Sequence, residues 1–256
     1  MSTDEDDGMH LNIAEYKAVQ MELLGSFACV IDDRIVPLTP MAQRLVILLT
    51  LRGPTARSTL ERLLWPETEP SQAAKRLRQS LWRTRQATGD ALLDTHGDRL
   101  RLRSQITVDL AVASSLAEKL ARVTPAQEGA ARDVMAAQNL NFLELELLPG
   151  WDGGDIKQVR ERWNLVRLIA LQRLAELHLA AKDPLSALDF ARRAVDVDAY
   201  NERSHRITAR AHLELGDVYG ARKIYASYSE LLRLELGASP TPEFRHIVMA
   251  NASELF

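Results

Sequence analysis

Between Ser71 and Arg103 the sequence gathers side chains suited to one chemistry, hydrogen bonding and charge pairing to a polyanion. The cations there are Lys75, Arg76, Arg78, Arg83, Arg85, Arg99, Arg101 and Arg103, and the anions are Asp90, Asp94 and Asp98. Eight less three gives a local charge of +5, within a chain of 256 residues whose net charge is −3. On a helix turning about 100° per residue, Gln72, Arg76, Gln79 and Arg83 share a face with Lys75 and Gln86 beside them. Ala74, Leu77 and Leu81 lie opposite, with Ala73 and Thr84 at the edge. Arginine can pair with guanine O6 and N7, and glutamine with adenine N6 and N7, so such a face is able to read base edges in a major groove. Arg78, Arg85 and Trp82 fall nearer the boundary, which suits phosphate contact for the arginines and packing for the indole. Arg99, Arg101 and Arg103 recur at period two and so share one side of a strand, where they would grip phosphate or the minor groove. The competing explanation is a solvated helix face and a strand edge blunted by charge. Against it stand the absence of any acid on the outer helix face and the company the helix keeps.

Those side chains need a scaffold, and the flanking sequence predicts one. Val19, Met21 and Leu23 alternate with polar residues; Phe27, Cys29 and Ile31 do so again; Asp32-Asp33 turns the chain into a short strand over 34–38. Thr39 and Pro40 are an N-cap and a first-turn proline, opening a helix that Gly53-Pro54 closes. Ser58 and Glu61 have capping-box spacing for a second short helix ending at Trp65-Pro66. Pro70 starts the third helix and Gly89 ends it. Leu92-Leu93, a turn at 96–98 and Leu100-Arg101-Leu102 predict a hairpin. Strands, three helices and a hairpin in this order are a helix-turn-helix with a wing.

From Asp109 onward the pattern is helical, with helices expected over 109–123, 125–146, 155–181, 185–197, 202–216, 218–236 and 242–255. Shifting the sequence by 34 residues aligns Ala175 with Ala209, His178 with His212, Leu179 with Leu213, Asp183 with Asp217 and Ala187 with Ala221. That is the period of tetratricopeptide units. The expected fold class is therefore mainly α: an α+β winged helix-turn-helix followed by an all-α tetratricopeptide-like repeat domain. The expected divisions are a disordered acidic tail over 1–15, the winged helix over 16–108 and the repeat domain over 109–256.

No enzyme, metal or cofactor is expected. His10, His96, His178, His205, His212 and His246 form no HExxH and no close ligand pair, and neither a P-loop nor a GxGxxG is present. His178 and His212 occupy equivalent repeat positions and suit helix packing. The single cysteine, Cys29, excludes an internal disulfide or a cysteine zinc site and alternates with apolar neighbours as a core residue. Trp65, Trp82, Trp151 and Trp163 suit packing, with an exposed contact the alternative for Trp151 in its glycine loop. The acidic start lacks the features of a signal peptide, and the longest apolar run, 45–51, is too short to span a bilayer, so a cytoplasmic protein without membrane contact is expected.

The same residues carry a family resemblance. The stretch from Leu23 to Asp109 resembles the OmpR-type winged helix of the streptomycete antibiotic regulatory proteins. The similarity lies in Leu38-Thr39, Leu60 to Trp65, Arg83-Thr84-Arg85, Leu92-Leu93, Gly97-Asp98-Arg99-Leu100 and Val108-Asp109. From about Val112 to Pro242 the chain resembles the activation domain that follows in those regulators. Leu147 to Trp151, Glu161-Arg162, Ser204-His205-Arg206, Ala211-His212-Leu213, Leu215-Gly216-Asp217, Leu234 to Gly237 and Pro240 to Glu243 match it. The resemblance implies an activator that binds tandem repeats near the −35 promoter region. It implies recruitment of RNA polymerase holoenzyme, with the sigma factor and alpha subunit as expected partners, and control of antibiotic biosynthesis genes; tandem half-sites would allow a homodimer to assemble on the DNA. It assigns base recognition to Arg76, Gln79 and Arg83 and a wing role to Arg99. Ser80, Trp82 and Asp98 depart from the residues usual at their positions. The alternatives are a protein-interaction adaptor whose repeat groove binds a peptide, or a repressor of the same fold.

Overall fold

The structure, a computed structural model, describes residues 18–250. The acidic tail and the far end of the last expected helix lie outside them. The chain forms two compact units. One runs up to Met21 and resumes over Ala28–Thr107; the other takes Glu22–Phe27 and resumes at Val108.

The first unit begins with β1 (Val19–Glu22), β2 (Ala28–Ile31) and β3 (Arg34–Ile35). Burial alternates along β1 as the hydrophobic pattern predicts, with Val19 and Met21 inside. The third strand is shorter than expected, since Pro37 has no N–H to continue a ladder. Cys29 is buried, which pushes its thiol up to about 11 and keeps it protonated at neutral pH.

Helix α1 (Pro40–Arg52) starts as expected, with the Thr39 hydroxyl accepting from the Ala42 N–H, and stops at Gly53, whose φ of 72° suits a residue without Cβ. β4 (Thr55–Ala56), α2 (Arg57–Leu64) and α3 (Pro70–Thr88) follow. Ser58 does not cap α2, contrary to the spacing argument: the N-cap is Ala56, without a side-chain bond. The start is set instead by pairing at a distance. β4 pairs with β6 (Arg99–Leu102), and the Arg57 N–H donates to the Asp98 carbonyl at 3.1 Å. β5 (Leu93–His96) pairs antiparallel with β6, and β7 (Ile106–Val108), which the pattern did not predict, lies beside β1. The sheets therefore run β3-β2-β1-β7 and β4-β6-β5. The three helices pack on one another around Leu45, Leu49, Leu60, Leu77 and Leu81, closed by Leu92 and Leu100 of the wing.

The second unit contains α4 (Asp109–Arg122), α5 (Glu128–Met135), a 3-10 turn (Leu140–Glu144), α6 (Gly154–Ala180), α7 (Pro184–Val197), α8 (Glu202–Glu214), α9 (Val218–Leu236) and α10 (Pro242–Ala250). The helix expected over 125–146 is broken. Asn139 adopts φ 69°, a left-handed conformation that asparagine tolerates and a helix cannot continue through. Segment 22–27 is stitched into this unit. Both Asp109 carboxylate oxygens accept from the Leu23 N–H at 2.9 Å, and Oδ2 also accepts from the Leu24 N–H at 2.9 Å. Gly25 N–H donates to the Glu146 carbonyl at 2.8 Å and Leu148 N–H to the Leu23 carbonyl at 2.9 Å. The loop beyond is pinned from α6. Arg160 donates to the carbonyls of Leu147, Leu148 and Trp151 at 2.9, 2.5 and 2.9 Å, and the Trp163 indole donates to that of Leu145 at 2.9 Å.

The 34-residue spacing is structural. α6 and α7 form one hairpin and α8 and α9 the next, with Ala175, Ala209, Ala187 and Ala221 all buried. At each hairpin bend the aspartate caps the second helix and holds a histidine of the first. Asp183 accepts from Ser186 N–H at 3.2 Å and meets His178 Nδ1 at 3.0 Å; Asp217 accepts from Gly220 N–H at 2.7 Å and meets His212 Nδ1 at 2.9 Å. A Cβ at Gly220 would overlap the Asp217 carboxylate and the His212 ring, so the second bend requires glycine.

The cap bonds hold both carboxyls below their ordinary value: Asp183 through Ser186 and then His178, Asp217 through Gly220 and then His212. A depressed folded value means the unfolded chain takes up the proton first. The contribution is present above about pH 4 and disappears as pH falls through the folded value. Replacing both by asparagine (Asp183→Asn, Asp217→Asn) should therefore flatten the fall in melting temperature as the pH drops below about 4. An acid limb as steep as in the parent chain would show that these caps do not titrate with unfolding.

Candidate nucleic-acid interface

Helix α3 is positioned by its own inner face. Ala73, Leu77, Ser80, Leu81, Thr84 and Thr88 are buried, and each buried leucine contributes about 1.5–3 kcal/mol. The Thr84 and Thr88 hydroxyls donate back to the Ser80 and Thr84 carbonyls at 2.8 Å, which explains how the two threonines share an apolar interface with their donors satisfied. The opposite face is open. Gln72, Lys75, Arg76, Arg78, Gln79, Arg83, Arg85 and Gln86 are all exposed, and no acidic residue interrupts α3. At about 1.5 Å per residue the helix is long enough to lie along a groove with several turns in contact.

Two arginines are oriented by neighbours. Arg76 Nη1 donates to Thr68 Oγ1 at 3.2 Å in the loop between α2 and α3, and Arg85 Nη2 donates to Thr95 Oγ1 at 3.4 Å on β5. Arg85 thus links the late helix to the wing. Lys75, Arg78 and Arg83 have no ion pair among the described residues, so their charges are available to an incoming anion.

On the wing, β6 alternates as the period-two argument requires, with Leu100 inside and Arg99 and Arg101 outside. The arginines are not equivalent. Asp94 sits opposite Arg101 in the ladder, and Arg101 Nε and Nη2 bond its Oδ2 at 2.8 and 2.6 Å. The same guanidinium holds the Asp94 carboxyl below its usual range. Arg101 therefore spends its charge locally, whereas Arg99 and Arg103 make no ion pair among the described residues. A hairpin register counted outward from Gly97-Asp98 would have found that pair in the sequence.

Trp82 is the residue that sequence reasoning misplaced. It does not pack: it is 61% exposed, on the outer side of α3. Trp163, by contrast, is buried as expected. Among the described residues no group of histidine, cysteine, aspartate and glutamate side chains could hold a metal ion, and no helix is long and apolar enough to cross a membrane. The second unit carries a separate concavity of about 1030 Å³, lined by Leu179, Leu213, Val218 and Ile247 together with Glu176 and Arg210.

Residues 108–250 match the bacterial transcriptional activator domain. The chain belongs to this family. The resemblance to the streptomycete antibiotic regulatory proteins is thereby borne out for the activation domain. The chain is also similar to a solved structure of Mycobacterium tuberculosis EmbR in complex with a low-affinity phosphopeptide. The TM-score is 0.73 at 20% sequence identity, over 93% of this chain and 66% of that one, so this chain spans less than two thirds of the EmbR chain. The likeness bears out the fold class, a small-sheet unit with a helix-turn-helix leading into a helical domain. Among curated proteins none matches the chain.

Proposed function

We propose that this member of the bacterial transcriptional activator domain family binds double-stranded promoter DNA through α3 and the wing and recruits RNA polymerase holoenzyme, its sigma factor or alpha subunit, through the helical unit. The observation that carries the reading is the outer face of α3, where Lys75, Arg76, Arg78, Arg83 and Arg85 alternate with Gln72 and Gln79, all exposed and with no acid among them. A major groove is about 12 Å wide and admits one helix, and this helix presents both bidentate donors and point charges to it. Gln72, Arg76, Gln79 and Arg83 read bases. Lys75, Arg78, Arg85 and Arg99 hold phosphates, and Arg101 does so only by giving up Asp94. Tandem half-sites near the −35 region, each taking one copy, would let a homodimer form on the DNA. The products regulated would be those of secondary-metabolite, including antibiotic, gene clusters, and the work would be done in the cytoplasm.

The test is an electrophoretic shift on a duplex selected from a random pool by the full chain and placed upstream of a −10 element. The reading expects a slower ternary band when holoenzyme is added, and more transcript from the same template. Binding that excludes holoenzyme and lowers the transcript would instead mark a repressor.

A further inference from the structure

Trp82 stands in the middle of a charged face where an indole has no folded-state purpose. It is 61% exposed. Its helical neighbours one turn away are Arg78, Gln79, Arg85 and Gln86, and Arg83 follows it directly, all of them exposed. Among the described residues it makes no hydrogen bond and no ring contact. The core of the unit is closed without it, by Leu77 and Leu81 on the inner side of the same helix. A large aromatic left in water among cations is depleted from ordinary surface and enriched at contact sites.

Its place on the helix narrows the partner's chemistry. On a helical wheel Trp82 falls between Arg78 and Lys75 and within the arc that ends at Arg83 and Arg76. Anything that meets these side chains together must meet the indole too. In a major groove the charged neighbours are met by phosphates and by the acceptor edges of guanine, and neither suits an indole face. The one apolar group a base pair presents there is the C5-methyl of thymine. Resting on the reading of α3 as a major-groove helix, we propose that Trp82 is a specificity-determining residue that packs on a thymine methyl group, adding an apolar requirement to the arginine and glutamine pattern beside it.

Burying one methyl-sized group is worth roughly a fourfold change in affinity, so the effect should fall at about three- to tenfold. The experiment uses the full chain, the duplex selected from a random pool, and a set of duplexes in which each thymine in turn is replaced by uracil, which lacks only the methyl. The parent chain should lose about three- to tenfold in affinity at one or two positions. Trp82→Ala should bind the thymine and uracil duplexes alike at those positions, and Trp82→Phe should keep part of the difference. Since Trp82 is exposed, Trp82→Ala should melt with the parent chain, which separates a contact from a fold defect. A parent chain indifferent to every uracil, or a Trp82→Ala chain as sensitive as the parent, would overturn the thymine contact while leaving duplex binding in place. Absence of any salt-sensitive duplex binding would overturn the underlying reading as well.

Discussion

Arg83→Ala should cost the full chain about 1–3 kcal/mol of discrimination between a selected duplex and a random one, roughly 5- to 140-fold. Arg83 has no intramolecular partner among the described residues, so its removal takes away a donor without freeing a buried acceptor or loosening the fold. The loss should appear mainly on the selected duplex. Arg99→Ala should behave differently, weakening both duplexes alike and lowering the slope of log affinity against log salt by about 0.9. Arg101→Ala should do less than Arg99→Ala, because Asp94 already neutralises Arg101 at 2.6 Å. Competition binding with fluorescent duplexes measures all three. Equal losses on both duplexes for Arg83→Ala would remove it from base recognition.

Asp109→Ala should have the largest effect on stability. Its carboxylate accepts the backbone N–H groups of Leu23 and Leu24, whose side chains are 0% and 5% exposed. A buried donor left without a partner costs about 1–3 kcal/mol, so the loss should total about 2–6 kcal/mol in the helical unit. Asp109→Asn keeps one acceptor oxygen and should fall between. The sensitive readout is amide hydrogen exchange at Leu23 and Leu24, which should lose protection before the α8–α9 hairpin does. Unchanged exchange at those two amides would show that the Asp109 carboxylate is not what protects them. The same geometry has a practical consequence. A fragment beginning at Asp109 leaves behind the segment that bridges Leu147 and contributes Leu23 and Leu24 to the core, and it should be less stable than the unit in the intact chain.

These two residues mark how far local sequence carries. α1 and α3 were legible because proline and glycine punctuate them and the apolar period between is unbroken. The 34-residue repeat was legible because the helices of a hairpin need small residues at fixed places, and Ala175, Ala187, Ala209 and Ala221 supply them. What failed had non-local causes. The start of α2 depends on Asp98, far along the chain, which no capping rule can see. The break at Asn139 interrupts an alanine-rich stretch whose propensity alone favours a continuous helix. The capture of segment 22–27 depends on Asp109, and a period-two strand pattern gives no hint of it. For the candidate interface, residue types were legible and environments were not. Trp82 has the residue type of a packing side chain but is solvent-exposed, and Arg101 has the type of a groove-facing cation but pairs with Asp94 across the hairpin.

The central claim is that α3 and the wing neutralise a duplex backbone, and salt titration tests it most directly. With Lys75, Arg78, Arg85 and Arg99 each meeting a phosphate, the slope of log affinity against log salt should lie near −4, at about −0.9 per contact. It should flatten toward −2 when Lys75 and Arg99 are both replaced by alanine. Duplex affinity indifferent to salt, or a slope that survives those two replacements unchanged, would contradict the account.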